Sequence, residues 1–397
     1  MDRPLQGVRV LEVARSANVA SAGAVLADWG ADVIKVDTPD GDTRRGPRPA
    51  PGVVVAAPDR GKRSIGLGLG MAEARPVLAG LIRRSDVFLT DHPAAACAKL
   101  RIDLDEVRRV NPGIIYVTGS GCGTAGPDRD RGADEATAFW ARGGSADGLT
   151  APDAGHAAPT PSSGYGDNVA ALAVAGGVAA ALYGRRATGE PSVLDVSLLA
   201  VGAWANQFTV NSALAAGGPL PKLDTRPQSL GNPLVGSYRT ADGRFITLAM
   251  SQPARHWPEF CRLMGRDDCA FDPRFTAPDT LAEHIDEAVG IVATAIAARS
   301  FTECCRLLEP GTGAWAPVQD GWEVGNDEAL IANGRIAEVV DARGGTQRLV
   351  ANPVKFDDGR LRLRRAPSVA EHTEDVLREL GFDEDALTEL KFAGAIS

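Results

Sequence analysis

A chain of 397 residues with 44% hydrophobic and 23% charged side chains is too long for one ordinary core and too apolar to be disordered. Its net charge of −9 argues against wholesale neutralisation of nucleic-acid phosphates, so no nucleic-acid partner is expected. The opening MDRPLQGVRVLEV has no apolar stretch of signal-peptide length, no later run approaches a membrane span, and the six cysteines form no CxxC pair. A cytoplasmic protein with reduced thiols and no membrane partner is the expectation.

The predicted elements begin with a βαβ unit. Val8–Val13 reads as a short apolar strand, Ala20–Trp29 as a small-residue helix closed by Gly30, and Val33–Val36 as a second strand ending at Asp37. Further strands are predicted at Asp86–Leu89 and Ile114–Thr118, each after a helical segment. This alternation predicts an α/β fold with a parallel, doubly wound sheet. A Gly/Ala/Pro/Ser-rich stretch, Gly143–Gly166, reads as loop, and Asn168–Tyr183 as a buried helix of small residues. Ser192–Leu199 is a strand candidate that leads into another helix.

Pro and Gly punctuation over Gly217–Pro233 marks a boundary. The large domain is therefore placed at 1–200, and a smaller domain at 225–325. The smaller one opens on a hairpin: Gly236–Arg239, a turn at Ala241-Asp242-Gly243, then Phe245–Ala249. Residues 330–397 are expected to return to the first layer, with strand-like and helical patterning from Asn352 onward.

Several motifs bear on chemistry. Gly121, Gly123 and Gly126 spell GxGxxG after the strand Ile114–Thr118, but Pro127-Asp128-Arg129-Asp130-Arg131 follows where a dinucleotide site needs a helix to open. The first βα turn, Arg15-Ser16-Ala17-Asn18, has no glycine. A tight loop that lets backbone approach a ligand or neighbour is the preferred reading, ahead of nicotinamide or flavin binding. Asp167, after Gly164-Tyr165-Gly166, reads by spacing first as a helix N-cap; a carboxylate held on rigid structure beside a glycine loop is a second reading that the first does not exclude. Arg44, Arg45, Arg48 and then Arg60, Lys62, Arg63 stand against the acidic background, as a solvated basic surface or a holder for a small phosphorylated ligand. The histidines lack metal-site spacing, so no metal is expected, and no GxSxG elbow or Walker A loop is present.

Taken in order, a set of segments resembles the class III CoA-transferases, a family that also includes α-methylacyl-CoA racemases. They are LADWGADVIKVDTPDGDTRR (Leu26–Arg45), GKRSIGL (Gly61–Leu67), NPGIIYVTGSGCGTAGP (Asn111–Pro127), GDNVAAL (Gly166–Leu172), RATGEPSVLDVSLL (Arg186–Leu199), GNPLVGSYRTADGRFITLAM (Gly231–Met250) and APSVAEHTEDVLRELGF (Ala366–Phe382). The resemblance implies a Rossmann-like large domain built from both chain ends, a smaller inserted α/β domain and an intertwined homodimer. It implies that Asp167 is the catalytic nucleophile, and that Lys62, Arg63 and Lys99, with the glycine loop at Gly121 and Gly123, contact coenzyme A. CoA and acyl-CoA are then substrates together with a free carboxylic acid, and no cofactor is tightly bound. Two departures from the family pattern stand out: Asp91-His92-Pro93-Ala94-Ala95 replaces an NFRPG-like stretch, and Cys122 replaces an aromatic residue.

The racemase branch uses a histidine in a GHD-like motif as partner to an aspartate. The corresponding segment here is Gly132-Ala133-Asp134-Glu135, and no histidine occurs between His92 and His156. That absence favours CoA transfer over proton exchange at Cα. Ala138-Phe139-Trp140-Ala141-Arg142-Gly143-Gly144 is similar to the version found in transferases for aryl or 2-hydroxy acids, its aromatics lining an acyl pocket or simply belonging to the core. A non-catalytic acyl-CoA-binding relative is the alternative of another class, and the presence of Asp167 speaks against it.

Overall fold

The computed structural model describes residues 3–39, 52–222, 228–342, 344–357 and 362–397. Arg44, Arg45 and Arg48 of the basic cluster lie outside the described residues. The chain divides into two compact units, Met1–Leu220 with Glu328–Ser397, and Pro221–Asp327.

The larger unit is organised on six parallel strands: β1 Arg9–Val13, β2 Asp32–Asp37, β3 Arg63–Gly66, β4 Val87–Thr90, β5 Ile115–Ser120 and β6 Val193–Ser197. Their order is β3-β2-β1-β4-β5-β6, so the direction of winding reverses between β1 and β4. Buried runs such as Val87–Thr90 arise because both faces are covered, and a strand buried on both sides needs no alternation. Leu11, Val13, Ile34 and Phe88 point into one core with α3 (Arg75–Arg83) and the C-terminal helices Thr373–Leu380 and Glu384–Phe392. Val10, Val33, Val87 and Leu89 point into the other, with α1 (Ala17–Asp28) and α7 (Tyr165–Thr188). Between α1 and α3 lies α2 (Gly52–Asp59), and between α3 and α7 lie α4 (Ala94–Leu100), α5 (Leu104–Val110), a π-helical segment (Glu135–Arg142) and α6 (Ser145–Leu149).

Two sequence expectations change here. β3 falls inside the motif Gly61–Leu67, where a four-residue strand beginning on Arg63 has no alternating pattern to announce it. The helix α7 is 24 residues long and contains an 18-residue stretch of mean hydropathy 1.3, which is long and apolar enough to cross a membrane, against the expectation that no run approaches one. Ala171, Val174, Ala175 and Val178 are instead buried against α1 and the sheet.

The β1–α1–β3 region also buries a chain of alternating charges. Lys62 Nζ lies 2.7 Å from both Glu12 carboxylate oxygens, donates to Ala20 O at 2.8 Å and approaches Asp59 at 3.4 Å. Lys35 pairs with Asp59 at 2.9 Å and with Asp37 at 3.0 Å. Gly23 is required by this packing, because a Cβ there would stand 2.0 Å from a Glu12 oxygen. Burial pushes Glu12 up and Lys62 down, each against the pull of its partner.

The smaller unit opens on the hairpin β7 (Val235–Arg239) and β8 (Phe245–Ala249), antiparallel, with β9 (Trp315–Pro317) added to β8. Helices bury Trp257, Phe260, Phe275, Val292 and Ile296 beside it. In the larger unit a second hairpin, β10 (Ile336–Val340) with β11 (Thr346–Val350), follows the insertion. After Asn352 the described residues carry helices, with a single β-bridge between Leu67 and Ile396 in place of a strand.

Candidate active site

The site is built from the first turn of α7. The helix opens at Tyr165, capped by Gly164 in the left-handed region at φ 80°, so Asp167 is not the N-cap that its local pattern predicts but a residue inside the first turn. Gly164 has no side chain to satisfy the orphan N–H groups. Glu135 does so from the start of the π-helical segment: its carboxylate accepts from Gly164 N at 2.6 Å and Gly166 N at 2.9 Å. Gly166 must be glycine, because a Cβ would lie 2.7 Å from the Phe139 ring.

The π-helical segment is itself capped. The Asp134 carboxylate accepts from Thr137 N at 3.0 Å and from its hydroxyl at 2.8 Å. Those bonds hold Asp134 below the usual carboxylate range, so it stays charged. Three carboxyl groups, Asp134, Glu135 and Asp167, thus share one neighbourhood. Burial first, then the charges of Glu135 and Asp134, push the Asp167 carboxyl up to about 6. Tyr165 stands edge-on to Phe139 at 6.3 Å and to Trp140 at 6.2 Å, over a small apolar cluster that includes Ala170, Leu198 and Val201. Phe139 and Trp140 are buried in that cluster.

The glycine loop follows β5. Gly121 packs so closely on Ala133 that a Cβ would meet its neighbour at 2.6 Å, and Gly123 adopts φ 101°. Gly123 N donates to Ser120 Oγ at 3.0 Å, and Thr124 donates to Asp195 through both N and Oγ1 at 2.9 and 2.6 Å. No helix opens at Gly126; the next is the π-helical segment, which begins at Glu135. Cys122 accepts from Arg142 Nη1 at 3.3 Å, and Arg142 is tied to Asp128 at 2.8 Å.

The cations assigned to coenzyme A fare differently. Lys62 is a correction: its side chain has no exposed surface and is committed to Glu12 and Asp59, so it presents no ammonium to a phosphate. Arg63 donates to Asp32 through Nε at 2.9 Å and Nη2 at 2.6 Å, and to Glu379 at 2.6 Å, which also takes it out of use. Lys99 is exposed in the last turn of α4.

Two hollows meet over the C-terminal ends of β1 and β4, the switch point of the sheet, where doubly wound folds bind ligands. One is a cavity of about 390 Å³ lined by Val36, Asp37, Leu67–Met71 and Leu100. The other is a cleft of about 640 Å³ lined by Ser16, Asp91, Pro93, Gly132 and Ala133. Arg15 and His92 line both. The cleft reaches Ala133, the residue before Asp134. Asp91 carboxylate oxygens accept from Arg15 N, both at 2.9 Å, and from Ser16 N, which joins the loop after β4 to the loop after β1. Sequence reasoning assigned no role to Arg15, Glu135 or the Leu67–Met71 wall. The position of the switch point, once the strand order is known, is the signal that picks out Arg15 and His92.

An open doubly wound sheet, hollowed at its switch point and carrying a half-buried carboxylate at a helix start nearby, is the arrangement of an α/β enzyme. The chain belongs to CoA-transferase family III, whose model matches residues 5–373. It is 29% identical over 396 residues to (R)-2-hydroxy-4-methylpentanoate CoA-transferase of Clostridioides difficile, covering 98% of each chain. It is 27% identical over 395 residues to cinnamoyl-CoA:phenyllactate CoA-transferase of Clostridium sporogenes, covering 97% of this chain and 95% of that one. Among solved structures it superposes on Rv3272 from Mycobacterium tuberculosis with a TM-score of 0.78 at 26% identity, covering 94% of this chain and 98% of that one. The protein is accordingly a CoA-transferase, with CoA thioesters as substrates.

Proposed function

We propose that this enzyme moves CoA from an acyl-CoA to a free carboxylic acid through covalent intermediates on Asp167. An Asp167 oxygen attacks the thioester carbonyl; the C–S bond breaks, giving an acyl–aspartyl mixed anhydride and CoA thiolate. The thiolate attacks the aspartyl carbonyl and expels the donor acid as carboxylate, leaving an aspartyl–CoA thioester. The acceptor carboxylate attacks that carbonyl, expels CoA thiolate and forms a second anhydride. Thiolate attack on its acyl carbon then yields the new acyl-CoA and restores Asp167. No net proton is consumed.

The observation that carries this reading is the Asp167 carboxyl itself, half-buried, on rigid helix, and pushed up to about 6. A carboxylate whose charge is poorly solvated is a better nucleophile than one in bulk water, and it is ionised above that pH. The glycine loop at Gly121 is the candidate source of oxyanion donors, the Gly123 N–H being held by Ser120 Oγ. The nucleotide end of CoA lies in the 390 Å³ cavity, whose wall includes Leu100, the residue after Lys99. A second copy of the chain completes the assembly. This is supported by α8 (Leu198–Ala205) and α9 (Gln207–Ala216), where Trp204, Phe208 and Leu214 are 71, 85 and 74% exposed. Cytoplasmic residence, with no tightly bound cofactor, belongs to the same proposal, and the six unpaired cysteines support it.

The test is mass spectrometry of the protein incubated with a panel of acyl-CoAs and acids. A CoA adduct on the peptide containing Asp167, absent in Asp167→Ala together with transfer, is the expected result. Near-normal transfer by Asp167→Ala would overturn the covalent reading. Deuterium exchange at Cα without CoA transfer would overturn the transferase reading in favour of a racemase.

A further inference from the structure

The cavity and the cleft share two side chains, and only one of them is a permanent cation. Arg15 lies at the end of β1, exposed, with its backbone N–H held by Asp91 and its guanidinium in no hydrogen bond or ion pair among the described residues. That freedom is informative by contrast. Arg9, Arg60 and Arg63 around the same sheet are each tied to an aspartate, and Lys62 is buried on Glu12. His92 sits beside Arg15, and its burial, helped by that guanidinium, holds the imidazole below its ordinary range and therefore neutral at pH 7.

The geometry around Arg15 sets an order along a ligand that threads both hollows. The cavity end is walled by Val36, Leu67, Leu69 and Met71, apolar surface suited to a purine face. The cleft end runs past Ser16 to Gly132 and Ala133, next to the Asp134–Glu135 pair that flanks Asp167. The neck between them is where a fixed fork of N–H donors would meet a diphosphate, since guanidinium geometry matches paired phosphate oxygens. Asp91 leaves the Arg15 side chain free while anchoring its backbone, so the loop is ordered before ligand arrives.

We propose that Arg15 is the specificity residue for the diphosphate bridge of the CoA substrate, taking the place that the sequence assigns to Lys62 and Arg63. This inference rests on the CoA-transfer reading above. Its function is binding: Arg15 holds the bridge at the neck between the two hollows, in ground state and transition state alike.

The experiment crosses an enzyme variant with a substrate truncation. Arg15→Gln should raise KM for acyl-CoA by about 10–100-fold with kcat little changed, the loss expected for one charge-assisted contact. With an S-acyl pantetheine, which lacks the nucleotide and the diphosphate, the variant and the parent should behave alike. Arg15→Lys should recover part of the loss. Calorimetric titration with CoA itself should give the same order of Kd, and pantetheine should give no difference between variant and parent. An equal effect of Arg15→Gln on CoA and pantetheine ligands, or no effect on CoA, overturns the assignment of Arg15. If the parent enzyme transfers CoA from no donor yet Arg15→Gln still weakens CoA binding selectively, the transferase reading fails while Arg15 keeps its role.

Discussion

Two clusters of charge lie within the larger unit, one buried and one only partly so, and they are built on opposite rules. Around β1–β3 the signs alternate, Glu12, Lys62, Asp59, Lys35, Asp37, and each charge touches an opposite one. At the start of α7 the signs are the same, Asp134, Glu135 and Asp167, and among the described residues no cation offsets the rise of Asp167. Alternation makes burial tolerable and fixes the packing of strands against α1. Repetition costs stability and is retained where a carboxyl must be poised for chemistry. Buried charge is therefore not by itself a mark of function; the pattern of signs separates scaffold from site.

The comparison can be broken by substitution on either side. The largest effect is expected at Asp167: the alanine variant should lose about 10³-fold or more in kcat/KM with an unchanged circular-dichroism spectrum. Next comes Lys62→Met, which strands Glu12 and should lower unfolding free energy by roughly 3–5 kcal/mol, measured by urea denaturation. Adding Glu12→Gln should return much of that loss, and activity per folded molecule should stay near the parent value. If Lys62→Met instead raises KM for acyl-CoA with stability intact, the cation is a ligand contact and the contrast fails.

A smaller effect sharpens the acidic side. The transfer rate should rise with pH through about 6 as Asp167 ionises, and then level off. Glu135→Gln removes one of the two charges that raise Asp167, so this acid limb should move down by about half a unit or more. An unmoved limb would mean that burial and Asp134 set it without Glu135. Smallest is a stability effect. A carboxyl raised in the folded state stabilises fully only below its unfolded value near 3.8, and that contribution is lost as pH rises through about 6. Asp167→Asn should therefore melt about 1–2 °C higher than the parent at pH 7.5, with the gap closing toward pH 4.

The same contrast explains what the sequence made legible. Long apolar segments announced β1, β2, β4 and the hairpin β7–β8, whose strands need only local patterning and a turn at Ala241-Asp242-Gly243. β3 stayed hidden because its four residues begin on Arg63, whose charge is satisfied by Asp32 and Glu379, partners far away in sequence. Asp167 was found through resemblance, yet its position was misread as a cap, since the real cap function comes from Glu135 across the fold. Lys62 was misassigned for a related reason: a basic motif does not reveal whether its charge faces water or Glu12.

The wall of the 390 Å³ cavity has one further consequence. Gly68 N donates to Ala395 O at 2.8 Å, and Leu67 bridges Ile396. Leu67 and Gly68 line the hollow, while Ala395 and Ile396 are translated long after it. Loosening of the segment after Phe392 would therefore loosen the wall of this hollow as well, although the two are far apart in sequence.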